Sequence, residues 1–165
     1  MLYDKAMGTF TIVSLVVMTI FIAYASIAGY NNWLVGMQYE REVGTFFTYA
    51  DRASDAKTKA DYFNQYVDAL EKNNLIKGCG VMYFCNQPNA QLAENFKVAK
   101  SLQVRLNELK LLDEKETAYQ LGMTQMTENE FCWFPTGIFE QAYALNHGAW
   151  GLALTPIGTH NMCED

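Results

Sequence analysis

The sequence is short of the residues that carry most catalysis and most nucleic-acid binding. It has 12 Lys and Arg against 18 Asp and Glu, a formal net charge of −6. No row of cations is available to neutralise a line of phosphates, so nucleic acid is excluded as an expected partner. Histidine appears twice and proline three times in 165 residues. Neither His147 nor His160 has a Glu three positions before it, so the Glu-x-x-His pairs of a di-iron bundle are missing. There is no glycine-rich phosphate loop, no G-x-S-x-G elbow, no C-x-x-C redox pair and no C-x-x-C-H haem attachment. These absences exclude the commonest enzyme classes, and the expectation is a non-catalytic chain with no cofactor and no metal.

Charge itself is missing from Ala6 to Tyr39. The centre of that gap reads TFTIVSLVVMTIFIAYASIAG, Thr9 to Gly29. About 20 apolar residues in a helix span a hydrocarbon layer, and this run supplies them. Tyr24, Tyr30 and Trp33 follow, the amphipathic rings that collect at headgroup depth. Ala23-Tyr24-Ala25 and Ser26-Ile27-Ala28 have the small-residue pattern of a signal cleavage site, but one Lys5 beside Asp4 makes a poor signal start. The segment is read as a retained membrane helix. Lys5 on one side and Arg41 with Arg52 on the other leave the positive-inside count close to a tie.

Beyond the apolar run the chain is patterned for helices. Tyr39, Val43, Phe47 and Ala50 mark one face of a helix that continues out of the membrane, with Gly36 and Gly44 as soft points. Ser54 is the expected N-cap of the next helix, whose stripe is Ala56, Ala60, Phe63, Val67 and Leu70, with Asp61, Asn64, Asp68 and Glu71 mostly on the other side. Asn73, Asn74 and Gly78 end it. A third helix opens after Pro88 and buries Leu92, Phe96, Ala99, Leu102, Leu106 and Leu109. Asp113 with Glu116 resembles a capping box for a fourth helix running through Tyr119, Met123 and Met126 to Trp133. Pro135 breaks it, and a shorter helix from Thr136 to about Asn146 precedes Gly148.

The fold class expected is all-α: a single N-terminal transmembrane helix continuing into an up-and-down four-helix-type bundle, stapled by disulfides. Residues 1–8 form a short cytoplasmic end, 9–35 the transmembrane helix, 36–147 an extracytoplasmic bundle, and 148–165 an apolar tail packed on the bundle or a partner. The cysteines are Cys79, Cys85, Cys132 and Cys163. Their spacing does not fit zinc motifs. Helices three and four look nearly matched in length, so an antiparallel pair would return Cys132 to the Cys79–Cys85 loop. The expectation is two disulfides, Cys132 with Cys79 or Cys85 and Cys163 with the other; four cysteines also allow the local pairing of Cys79 with Cys85. Disulfides imply an oxidising compartment, which places the amino terminus in the cytoplasm and the domain on the periplasmic, extracellular or luminal side.

Three other constellations carry weaker signals. Glu128 and Glu130 beside Phe131 and Trp133 read as a solvated edge more readily than as an acidic pocket. Met82, Met123, Met126 and Met162 read as core filler more readily than as copper ligands. His147, His160 and Cys163 do not have zinc spacing. Aromatics are plentiful, at 14% of the chain. Tyr83, Phe84, Phe134 and Trp150, outside the helical stripes, are the candidates for contact with a protein partner.

Gly8 followed by TFTIVSLVV, at the head of a long helix, resembles the amino-terminal architecture of type IV pilins. The resemblance covers about 45 residues, and the fifth position after Gly8, where such helices carry an acid, is Val13. It implies a filament subunit as the alternative to the main expectation, a membrane-anchored accessory or structural subunit that contacts the lipid bilayer and other membrane subunits. A small metal-binding or enzymatic bundle is the second alternative.

Overall fold

The computed structural model describes residues 2–76 and 89–147, and these are helical with no strand among them. Helix α1 covers Leu2–Tyr39, passes through a π-helical turn at Glu40–Gly44, and continues as α2, Thr45–Arg52. Helix α3 is Ala56–Lys72, α4 is Asn89–Leu109, α5 is Thr117–Gln125 with a second π-helical turn at Met126–Phe131, and α6 is Thr136–His147.

The π turn in the first helix has a geometric reason. Val35, Tyr39, Val43 and Phe47 are all buried and lie four residues apart. Three such steps on a 3.6-residue helix drift by about 120° around the axis. Widening one turn by a residue brings the stripe back toward the core. Thr45 closes the wide turn, donating both its backbone N–H and its hydroxyl to the Glu40 carbonyl, the latter at 2.5 Å.

The chain then reverses within 53–55. Asp55, not the neighbouring Ser54, caps α3: its carboxylate accepts the Thr58 N–H at 2.7 Å. Helix α3 ends in a Schellman motif. Asn74 takes a left-handed φ of 54°, its N–H reaches the Glu71 carbonyl, and the Leu75 N–H reaches that of Leu70. The link before α5 differs from the capping box expected there. Asp113 caps its own tight turn, accepting the Lys115 N–H at 3.0 Å, and the helix begins four residues later at Thr117.

Pairings across the helices fix the directions. Between α3 and α4, Asp61 meets Lys110, Asn64 meets Asn107, and Glu71 meets Lys100, so the two are antiparallel. Between α4 and α5, Leu109 packs under Gly122 and Arg105 pairs with Glu130, again antiparallel. With α2 and α3 reversed at 53–55, the described part is an up-and-down bundle. The stripes expected from 3.6-residue spacing are the buried ones, from Tyr39 to Ala50, Ala56 to Leu70 and Leu92 to Leu109, with Phe96 half-buried.

The matching of helix lengths does not hold. Helix α5 with its π turn ends at Phe131, level with Arg105 rather than with the start of α4. Asn89 lies about 24 Å further along that helix. Cys132 is buried at this level. The cysteines expected to pair with it, Cys79, Cys85 and Cys163, lie outside the described residues.

Candidate functional site

Two regions of α1 define what the molecule offers to its surroundings. From Thr11 to Ile27 every side chain is exposed, including Ile12 at 64% and Phe21 at 70%. This helix is long and apolar enough to cross a membrane. Thr19 and Ser26 return their hydroxyls to the carbonyls four residues back, both at 2.8 Å, which removes their cost in hydrocarbon. Tyr24, Tyr30 and Trp33, expected at the membrane interface, are exposed, and the Tyr30 and Trp33 rings lie 6.1 Å apart.

Below them the helix meets α6. The Tyr39 and Tyr143 rings pack edge to face at 5.6 Å. Tyr39 donates to the Thr136 carbonyl at 3.4 Å, and Tyr143 donates to Glu42 at 3.0 Å. Burial, with Tyr66, Glu140 and Glu40 nearby, holds the Tyr39 phenol well above its ordinary range. Burial and then the Glu42 carboxylate push Tyr143 up to about 12. These phenols are hydrogen-bond donors at physiological pH, not bases.

The bundle interior is aromatic. Phe47 stacks on Phe131 and Phe134 at 5.3 and 5.2 Å, and Phe134 stacks on Phe139 at 6.2 Å. Phe134 is therefore not free to contact a partner: at 5% exposure it is part of this core. The π turn ends at Phe131 and the chain turns away from the helix over 132–135, and there the neighbouring Trp133 is 69% exposed instead. Tyr83, Phe84 and Trp150, the other contact candidates, lie outside the described residues, as do Cys79, Cys85 and Cys163.

Sequence reasoning passes over Lys59, the one charged residue buried completely among the described residues. Its Nζ donates to the Asp51 carbonyl at 2.9 Å and sits 4.2 Å above the Phe131 ring. A cation there faces the carbonyl end of α2. The signal available in the sequence is its place between Ala56 and Ala60 on the apolar stripe. Glu130 is not solvated as expected; Arg105 and Gln125 both donate to its Oε1. Met126 is buried and Met123 packs against the core. Among the described residues no group of three His, Cys, Asp or Glu is placed to hold a metal ion.

A groove of about 500 Å³ opens between the first π turn and α3, bordered by Arg41, Glu42, Phe46, Gln65, Asp68 and Lys72. No family model, curated protein or solved structure matches this chain.

Proposed function

We propose that the chain is a non-catalytic, single-pass membrane-anchored accessory or structural subunit of a larger membrane or envelope assembly, acting through protein–protein contacts. The observation that carries this reading is the apolar sleeve of α1, exposed from Thr11 to Ile27 and continuous with a helix built into the bundle core. Exposed Trp133, between buried Cys132 and Phe134, supports a partner-contact role for the bundle wall. Pull-down of the chain from solubilised native membranes tests it. Stoichiometric recovery of other membrane subunits is expected; recovery of the chain alone, as a monomer, would sink the reading. The filament alternative draws on the same continuous helix. A mature amino terminus at Thr9, read by mass spectrometry, would favour the filament over the accessory subunit.

In this reading the domain belongs on the periplasmic, extracellular or luminal side, where a disulfide persists. Cys132 supports it, since it is not a free thiol. With the end of α5 level with Arg105, the reason for pairing Cys132 with the loop before α4 falls away. We pair Cys132 with Cys163 and Cys79 with Cys85, the local arrangement that four cysteines also allow. Mass mapping of a non-reduced digest is expected to show Cys132 linked to Cys163; a Cys132–Cys85 peptide would return the cross-bridge.

A further inference from the structure

The groove beside the first π turn combines features that a purely structural cleft does not need. Two cations, Arg41 and Lys72, and two carboxylates, Glu42 and Asp68, border it. All four are exposed, and among the described residues none pairs with another charge. Glu42 is held from behind by the Tyr143 hydroxyl at 3.0 Å. Phe46 and the stem of Gln65 provide an apolar side to the same space. Opposite charges that share a groove without meeting one another leave both signs available to a ligand that carries both.

Position selects the ligand. Helix α2 runs antiparallel to α3: Tyr49 lies against Tyr62, Phe47 against Phe63 and Tyr66, and Arg41 and Glu42 share the groove with Asp68 and Lys72. The end of α3 that carries Lys72 therefore points back toward the apolar sleeve. Arg41 lies about 12 Å along the helix axis from Trp33. The headgroup layer adds about 5–7 Å to each side of the hydrocarbon core, and long Arg and Lys side chains reach toward that layer. Tyr30, Trp33 and Met37, all exposed, lead down α1 toward the groove.

We propose that this groove seats the headgroup of a zwitterionic aminophospholipid, its phosphate on Arg41 and Lys72 and its ammonium against Glu42 and Asp68. The proposal rests on the membrane-anchored reading of α1. The site holds one lipid per chain and fixes the height and rotation of the bundle over the bilayer. Phosphate recognised by a guanidinium and an ammonium involves charge-assisted hydrogen bonds, and the carboxylates discriminate against headgroups that carry no cation.

The test uses the full chain. Flotation with vesicles first establishes anchoring. The detergent-purified protein is then exchanged against phosphatidylethanolamine or phosphatidylglycerol, and bound lipid is counted by native mass spectrometry. One phosphatidylethanolamine per chain is expected. The R41Q/K72Q double variant should lower retention about tenfold, the effect of losing one to two charge-assisted contacts. D68N, which leaves the Glu42–Tyr143 bond intact, should keep lipid but lose much of the preference over phosphatidylglycerol. A chain that floats yet retains both lipids alike, or loses nothing in R41Q/K72Q, overturns the proposal while the anchor stands. A chain that does not float overturns both. Soluble phosphoethanolamine binding as tightly as the lipid overturns the assignment to a membrane source. Unchanged melting temperatures in R41Q/K72Q and D68N separate lost binding from lost folding.

Discussion

At the scale of single residues, two charged side chains make stability rise with pH, in windows far apart. Burial lowers the pKa of Lys59, with Asp51 opposing part of that shift. Its folded-state value is thus below its unfolded value, and the unfolded chain binds more protons between the two. Stability contributed here rises as pH rises through that window toward 10.5. The variant Lys59→Met removes the charge and keeps the bulk. Its stability relative to the parent is expected to fall as pH goes from 7 to 9.5, because the parent gains and the variant does not; paired thermal melts read this. Asp55 acts in the same sense at the acid end, through its charged form rather than its neutral one. The Thr58 N–H lowers its pKa below 3.8, so its stabilisation is present above that value and is lost as pH falls through the lowered one. Asp55→Ala should cost about 0.5–2 kcal/mol at pH 7 in urea unfolding, and the difference should shrink below about pH 4. An equal difference at pH 7 and pH 3 would show that the cap bond is not its source.

At the scale of elements, the contact between α3 and α4 is specified by amides. Asn64 Oδ1 accepts from Gln103 Nε2 at 3.0 Å and from Asn107 Nδ2 at 3.1 Å, and Asn64 Nδ2 lies 3.2 Å from Asn107 Oδ1. A double-mutant cycle with Asn64→Ala and Asn107→Ala should give a coupling of about 0.5–2 kcal/mol; strictly additive losses would mean the amides are simply solvated. This network also marks the limit of what is legible in the sequence. The apolar stripes can be read because burial repeats at 3.6 residues, and Ala56, Phe63 and Leu70 announce themselves by type. Asn64 falls with the polar side of α3, since no periodicity separates an amide facing water from one facing another helix. The exposure of Tyr30 and Trp33 is legible from their place after an apolar run. Lys59 is hidden because its partner is a backbone carbonyl, which every sequence possesses. Phe134 is illegible for another reason: the direction of a side chain in a non-helical turn depends on the turn, not on residue type.

At the scale of the whole molecule, the first helix and the bundle are one object. There is no loop between the exposed sleeve and the buried stripe, and the change from one to the other occurs within a few residues: Trp33 is 59% exposed and Val35 is 3% exposed. Tyr39 and Glu42, on that same helix, are the residues that hold α6 through Tyr143.

A rod without a joint works as a driveshaft. In the proposed membrane assembly, rotation of the sleeve about its own axis turns the bundle wall, Trp133 included, through the same angle. Torsional phase thus becomes a design variable of the chain. One alanine inserted between Gly29 and Tyr30 twists the sleeve by about 100° against the bundle, while seven inserted residues return it to within about 20° at the cost of about 10 Å of length. Neither insertion touches the bundle core, so its melting temperature should stay constant. Recovery of native partners should collapse for the single residue and return in part for seven; equal recovery from both would show that the shaft turns freely.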